Sequence, residues 1–155
     1  MFMKSIQSLC LIQSILMKTD LSNATFIIPI RIESDDRLRN VVTSIAFLVE
    51  NFDTNIIVKE VDKESVFQTE VLPIFEEILE VDLWKNFHHI FERSEEPLFH
   101  RQRVLNEMIA ECETDIVVNY DCDVVLPMQS YKLAYDGIME GIYDVVYPSV
   151  SYTNL

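Results

Sequence analysis

Glycine and proline are scarce, with 2 and 5 of them among 155 residues. Collagen-like and low-complexity classes are built on those residues and are excluded. Cysteine is scarce too: Cys10, Cys112 and Cys122 are the only three. The number is odd and no C-x-x-C pair occurs, which argues against a disulfide framework or a zinc site. A reducing compartment, and so a cytoplasmic location, is the expectation, with the cysteines as small buried hydrophobes. Positive charge is in short supply: 12 Lys and Arg stand against 26 Asp and Glu, a net charge of −14. Direct, metal-free binding of DNA or RNA phosphates is therefore not expected. Any anionic ligand would need a divalent cation or a local arginine to offset the field. His88, His89 and His100 have no metal-ligand spacing such as H-E-x-x-H and read as surface or core histidines.

A long apolar run is also missing. The opening "MFMKSIQSLCLIQSILM" (1–17) is interrupted by Gln7, Ser8, Gln13 and Ser14. It is short for a membrane span, and no small-residue cleavage site follows, so neither a transmembrane span nor a signal peptide is expected. Ile6, Leu9, Cys10, Gln13 and Leu16 or Met17 fit one stripe of a helix. Residues 1–23 are read as an N-terminal amphipathic helix followed by a linker, "KTDLSNA".

What is present is a globular composition, 49% hydrophobic, long enough for one domain with a real core. Trp84 and the phenylalanines are assigned to that core. "ATFIIPIRI" (24–32) is a buried strand by its β-branched content. Ser34, Asp35 and Asp36 are N-cap candidates for a helix carrying Leu38, Val41, Val42, Ile45, Leu48, Val49 and Phe52. "TNIIVKEVD" (54–62) is the second strand. Val66, Phe67, Val71, Ile74, Phe75, Ile78 and Leu79 keep a helical period that Pro73 must kink or split. "HHIFER" (88–93) is the third strand. Ser94 is a candidate cap for a helix with an apolar face of Leu98, Leu105, Met108, Ile109 and Cys112. "DIVVNYD" (115–121) is the fourth strand, "MQSYKLAYDGIMEG" (128–141) a helix, and "YDVVYPSV" (143–150) a fifth strand. Such alternation predicts an α/β fold, a mostly parallel sheet flanked by helices.

Ligands of such sheets bind at the carboxyl ends of the strands. There the sequence places Arg31 and Glu33, then Glu60 and Asp62, then Arg93, then Asp121 and Asp123. With 11 aspartates in the chain, about one Asp-x-Asp pair arises by chance. Its context, closing the run "IVVNY", is what gives it weight. In extended chain residues i and i+2 share a face, so Asp121 and Asp123 would point together and Cys122 toward the core. Two carboxylate oxygens on one side suit Mg²⁺ or Mn²⁺; a strand that ends at Tyr120 with both acids solvated is the plainer alternative. In "FHRQRVLN" (99–106), Arg101 and Arg103 fall near a helix N-terminus, a favourable place for anions; pairing with Glu95, Glu96 and Glu107 is the plainer alternative.

"FIIPIRIESDDRLRN", "IIVKEVD" and "FHRQRVLNEMIAECETDIVVNYDCDVVLPM" together resemble the nucleotide-sugar-binding half of a GT-A glycosyltransferase. The run F-x-R-x-x-x-L-N, helix, D-x-D-x-x-x-P-M is similar to the β-1,4-galactosyltransferase family, and the opening "P-x-R" to glycosyltransferase family 2 as well. The resemblance covers about residues 24–152 and implies a Rossmann-like half-domain. It implies a UDP-sugar donor, a saccharide or glycan acceptor, and Mn²⁺ or Mg²⁺ as cofactor in hexosyl transfer to an acceptor hydroxyl. Carried over by position, Pro29, Ile30 and Arg31 would line the nucleotide pocket. Glu60, or Asp62 in its place, would read the uracil edge. Phe99 and Arg101 would contact the nucleoside, Asp121 the ribose or donor sugar, and Asp123 would ligate the metal.

Two features depart from the family. Glu33 stands where a second basic residue is common. No histidine follows His100, whereas the family continues with an acceptor-binding half and a further metal ligand, commonly a histidine. Residues 24–155 are read as the nucleotide-sugar-binding domain, as a natural minimal protein, a gene fragment or a domain cut from a larger chain, with an oligomer left open. A non-catalytic or degenerate nucleotide-sugar-binding domain is the alternative. A haloacid-dehalogenase-like phosphatase, suggested by "VVNYDCDVVL", is a more distant one, because that motif normally lies on the first strand.

Overall fold

The computed structural model describes residues 18–79 and 85–148. The expected N-terminal helix (1–17) lies outside them. Four strands form one parallel sheet in the order β3-β2-β1-β4. The fold is α/β with helices on the sheet, as alternation predicted.

Strand β1, Thr19–Ile30, begins well before the expected Ala24. Thr19 and Asp20 pair with Phe52 and Asp53, and the register then shifts before Thr25 meets Asn55. The stretch read as a linker is therefore a strand with a bulge. Its polar letters are explained by the bulge, where Asp20 accepts the Ser22 N–H at 2.9 Å, while Leu21 is buried. Helix α1, Asp35–Asn51, starts where its cap predicts: Ser34 Oγ accepts the Arg37 N–H at 3.2 Å. It buries Val41, Ile45, Leu48 and Val49. Strand β2, Phe52–Asp62, follows directly.

Pro73 divides the next helix as expected. A π-helical turn, Phe67–Val71, leads into helix α2, Leu72–Ile78, with the proline in its first turn, where a missing N–H costs little. Strand β3 is Phe87–Arg93. Helix α3, Arg101–Ala110, starts later than Ser94 allows, and its cap residue His100 makes no side-chain capping bond. Ser94 instead extends the sheet edge, donating its N–H to the Asp62 carbonyl at 2.9 Å and accepting from the Glu96 N–H. The helix buries Val104, Leu105 and Met108, whereas Leu98 and Ile109 are exposed.

Strand β4 is only Ile116–Asn119. Helix α4, Met128–Met139, ends in a turn where Gly141 has φ 69°, a conformation that favours glycine after a helix. The expected fifth strand is not formed over residues 143–148. A strand exists only through a ladder with a neighbour, and Val145 and Tyr147 lie exposed.

The period-2 alternation of the strands sends one set of side chains to each face. Phe26, Ile28, Ile30, Ile56, Val58 and Ile116 meet α1, the π turn, α2 and Tyr131 of α4 in the larger core. Ile27, Ile57 and Val61 meet Val104, Leu105 and Met108 of α3 on the other face. Among the described residues, no helix is long and apolar enough to cross a membrane.

Candidate functional site

In this strand order the chain runs outward from β1 through β2 to β3. It then returns to the other side of β1 as β4. Ligands of such sheets usually sit outside the carboxyl ends of the strands at the point where the order reverses, here between β1 and β4. The ladder between them ends at Ile27 opposite Asn119, with the Tyr120 N–H donating to the Ile27 carbonyl at 3.1 Å.

From β1, Arg31 passes to the α3 side and is buried. Its Nε donates to the Val61 carbonyl at 2.9 Å and Nη1 to the Pro97 carbonyl at 3.2 Å. Its guanidinium carbon lies 5.6 Å from the centre of the Phe99 ring. Arg31 and Phe99, both expected at the site, do come together, but the arginine chiefly ties the loop before α3 to the strand ends. Pro29 and Ile30 are buried, Ile30 completely. They therefore shape the strand end and present no side chain to a ligand.

From α3, Arg101 reaches across to the end of β4. Its Nη2 is 2.5 Å from Asp121 Oδ1 and 3.0 Å from Asn119 Oδ1. Asp121 remains 64% exposed in this pair. Asn119 was not singled out from sequence. Its signal was available: a polar residue ending an apolar strand, two positions before the acid on the same alternation. Arg103 does not join the site. It bridges Glu92 at 2.7 Å and Glu107 at 2.8 Å, and Lys59 meets the same two carboxylates at 3.3 and 2.6 Å. Burial alone would lower the Lys59 pKa, but the bonds from Glu107 and Glu92 outweigh it and raise it.

The expected geometry of Asp121 and Asp123 needs correction. The strand has already ended, and the two acids lie in a turn in which the Val124 N–H meets the Asp121 carbonyl at 3.3 Å. The burial alternation nevertheless holds: both acids are exposed and Cys122 is buried. Burial pushes the Cys122 thiol up to about 11, so it is neutral at ordinary pH and acts as core. The chain after the turn is held by Tyr131, whose hydroxyl accepts the Leu126 N–H at 3.1 Å.

A cleft of about 460 Å³ opens beside β4, lined by Val117, Tyr120, Leu126, Tyr135 and Val145, with Asp121 its one charged lining residue among the described residues. That volume lies in the range of small-molecule sites. Among the described residues, no group of three or more His, Cys, Asp or Glu side chains is placed to hold a metal. Mg²⁺ and similar ions commonly take one or two carboxylates, with phosphate oxygens and waters completing the shell. Asp121 and Asp123 are hard oxygen donors of that kind, both exposed just past the end of β4.

Glu60 is placed elsewhere. It points into the larger core and is fully buried. Ser65 Oγ donates to Oε2 at 2.5 Å and the Phe67 N–H to Oε1 at 3.1 Å. His89 Nε2 lies 3.4 Å from Oε2 without the alignment of a hydrogen bond, its ring stacked on Phe67 at 4.3 Å. Burial would raise the Glu60 pKa, but the favourable contacts from His89, Ser65 and Phe67 outweigh it and hold it below the ordinary value. With its oxygens occupied and no exposure, Glu60 does not read a base edge in this geometry. Asp62 is half-buried at the strand end and accepts the Lys63 N–H at 2.7 Å.

Comparison with protein-family models, curated proteins and solved structures returns no significant match.

Proposed function

We propose that this domain binds a UDP-sugar together with Mn²⁺ or Mg²⁺ outside the carboxyl ends of β1 and β4, as the donor-binding part of a hexosyltransferase. One observation carries the reading. Arg101, Asn119 and Asp121 gather at the switch point of a parallel sheet, with Asp123 beside them and Arg31 and Phe99 one strand away.

Each group has a task in this reading. Asp121 and Asp123 hold the cation from one side, and Arg101 pairs with a phosphate. The apolar cleft beside β4 shelters an uncharged part of the ligand, with Phe99 flanking Arg31. The bound cation supplies positive charge that offsets the diphosphate and favours its departure. In a chain of net charge −14, that offset is what makes an anionic donor tolerable. The acceptor is a saccharide hydroxyl.

Titration calorimetry of UDP with Mn²⁺, and again with EDTA, tests the binding. At least about tenfold tighter binding with the metal, ~1.4 kcal/mol, is expected, and equal affinity in both removes the metal from the reading. UDP release from UDP-galactose and UDP-glucose tests transfer. Acceptor-stimulated release at about 1 per second or faster marks a transferase. Mn²⁺-dependent binding without turnover marks a binding domain instead.

A further inference from the structure

The same oxygen is asked to serve two cations. Asp121 Oδ1 sits 2.5 Å from Arg101 Nη2, so a divalent ion arriving at that oxygen meets a guanidinium already in place. Like charges at such a distance repel strongly. Asn119 Oδ1, a neutral acceptor, meets the same nitrogen at 3.0 Å.

We propose that Arg101 is a latch on Asp121. It neutralises the carboxylate while no donor is bound, and releases it to the metal only when a diphosphate takes the guanidinium. This deepens the donor-site reading and rests on it. A diphosphate offers the guanidinium several oxygens and a bidentate grip, which a single carboxylate oxygen does not. Asp121 then gains a free oxygen at the moment when phosphate oxygens arrive to complete the metal's shell. Metal and diphosphate consequently assist each other's binding, by the same factor in both directions. In a strongly acidic protein the latch also keeps the site from filling with whatever divalent ion is abundant.

The test reads metal binding directly, by the electron paramagnetic resonance signal of free Mn²⁺, with no nucleotide present. Arg101→Gln is expected to bind Mn²⁺ about fivefold more tightly than the wild type, the upper worth of an exposed ion pair. Arg103→Gln makes the same charge change two residues along the helix, where Arg103 faces Glu92 and Glu107. It is expected to stay within about twofold of wild type. Adding Asp121→Asn to Arg101→Gln should abolish the gain. Adding UDP should bring wild-type Mn²⁺ affinity at least to the level of Arg101→Gln alone. Circular dichroism melts confirm that all variants are folded.

A gain no larger in Arg101→Gln than in Arg103→Gln overturns the latch, as does a gain that survives loss of Asp121. Either result leaves the donor site intact if UDP still binds with metal. A gain specific to Arg101 together with no UDP binding places the failure in the donor-site reading, and with it in the diphosphate as the releasing ligand.

Discussion

Two carboxylates stand at the carboxyl ends of the two strands that flank β1, one within the strand and one past it, and they differ in almost every respect. Glu60, on β2, is fully buried and served by Ser65, the Phe67 N–H and His89. Asp121, just past β4, is 64% exposed and held by Arg101. A buried charge is stable only when fully paired, and removing part of its shell is costly. An exposed pair is nearly neutral for stability and can exchange partners. Glu60 therefore belongs to the scaffold and Asp121 to the site. The arginines repeat the contrast: Arg31 is buried on two backbone carbonyls, while Arg101 is half-buried on two side chains.

The comparison is easiest to break at Glu60. Glu60→Ala strips the acceptor from Ser65 and the π turn and leaves His89 alone, so a loss of about 3–5 kcal/mol is expected in urea unfolding. A loss below about 1 kcal/mol would mean that the buried pair does not anchor the turn. The pH dependence sharpens the point. The folded Glu60 pKa lies below the ordinary 4.5. Its contribution is therefore complete above that value and disappears as pH falls through the lower folded one. Urea melts of Glu60→Gln between about pH 6 and pH 3 should accordingly show a shallower acid loss than wild type. An unchanged slope would assign the acid limb to other carboxylates.

Arg31→Ala should cost about 2 kcal/mol, since it leaves the Val61 and Pro97 carbonyls without their donor. A wild-type midpoint in thermal unfolding would contradict its anchoring role. The smallest stability effects are expected at the other end of the comparison. Arg101→Ala and Asp121→Asn should each change stability by less than about 1 kcal/mol while reducing metal-dependent UDP binding. A large loss of stability with binding preserved would move the pair to the scaffold.

The strands were legible because β-branched and apolar runs such as "FIIPI" and "IIVKEV" permit little else, and helix α1 because Ser34 caps a clear apolar period. The parts misread share one cause: they depend on neighbours. "TDLSNA" looks like a linker until Phe52 and Asp53 lie beside it. "YDVVYPSV" looks like a strand but has no ladder over residues 143–148. Asp121 and Asp123 belong to a turn because the pairing of β4 with β1 stops at Asn119.

The candidate site divides in the same way. From residue order alone came the α/β alternation, the collection of acids and arginines at the strand ends, and the special position of Asp-x-Asp after an apolar strand. Local propensity and periodicity are properties of short segments, which sequence records directly. Which charge is locked and which is available was decided only by tertiary structure. Glu60 is closed off because register brings His89 of β3 to the same face and the π turn lies over both. Arg101 meets Asp121 because the chain crosses to the far side of β1 before forming β4. Both outcomes rest on contacts between residues distant in sequence, whose energies depend on burial and distance, quantities that exist only once the sheet is assembled.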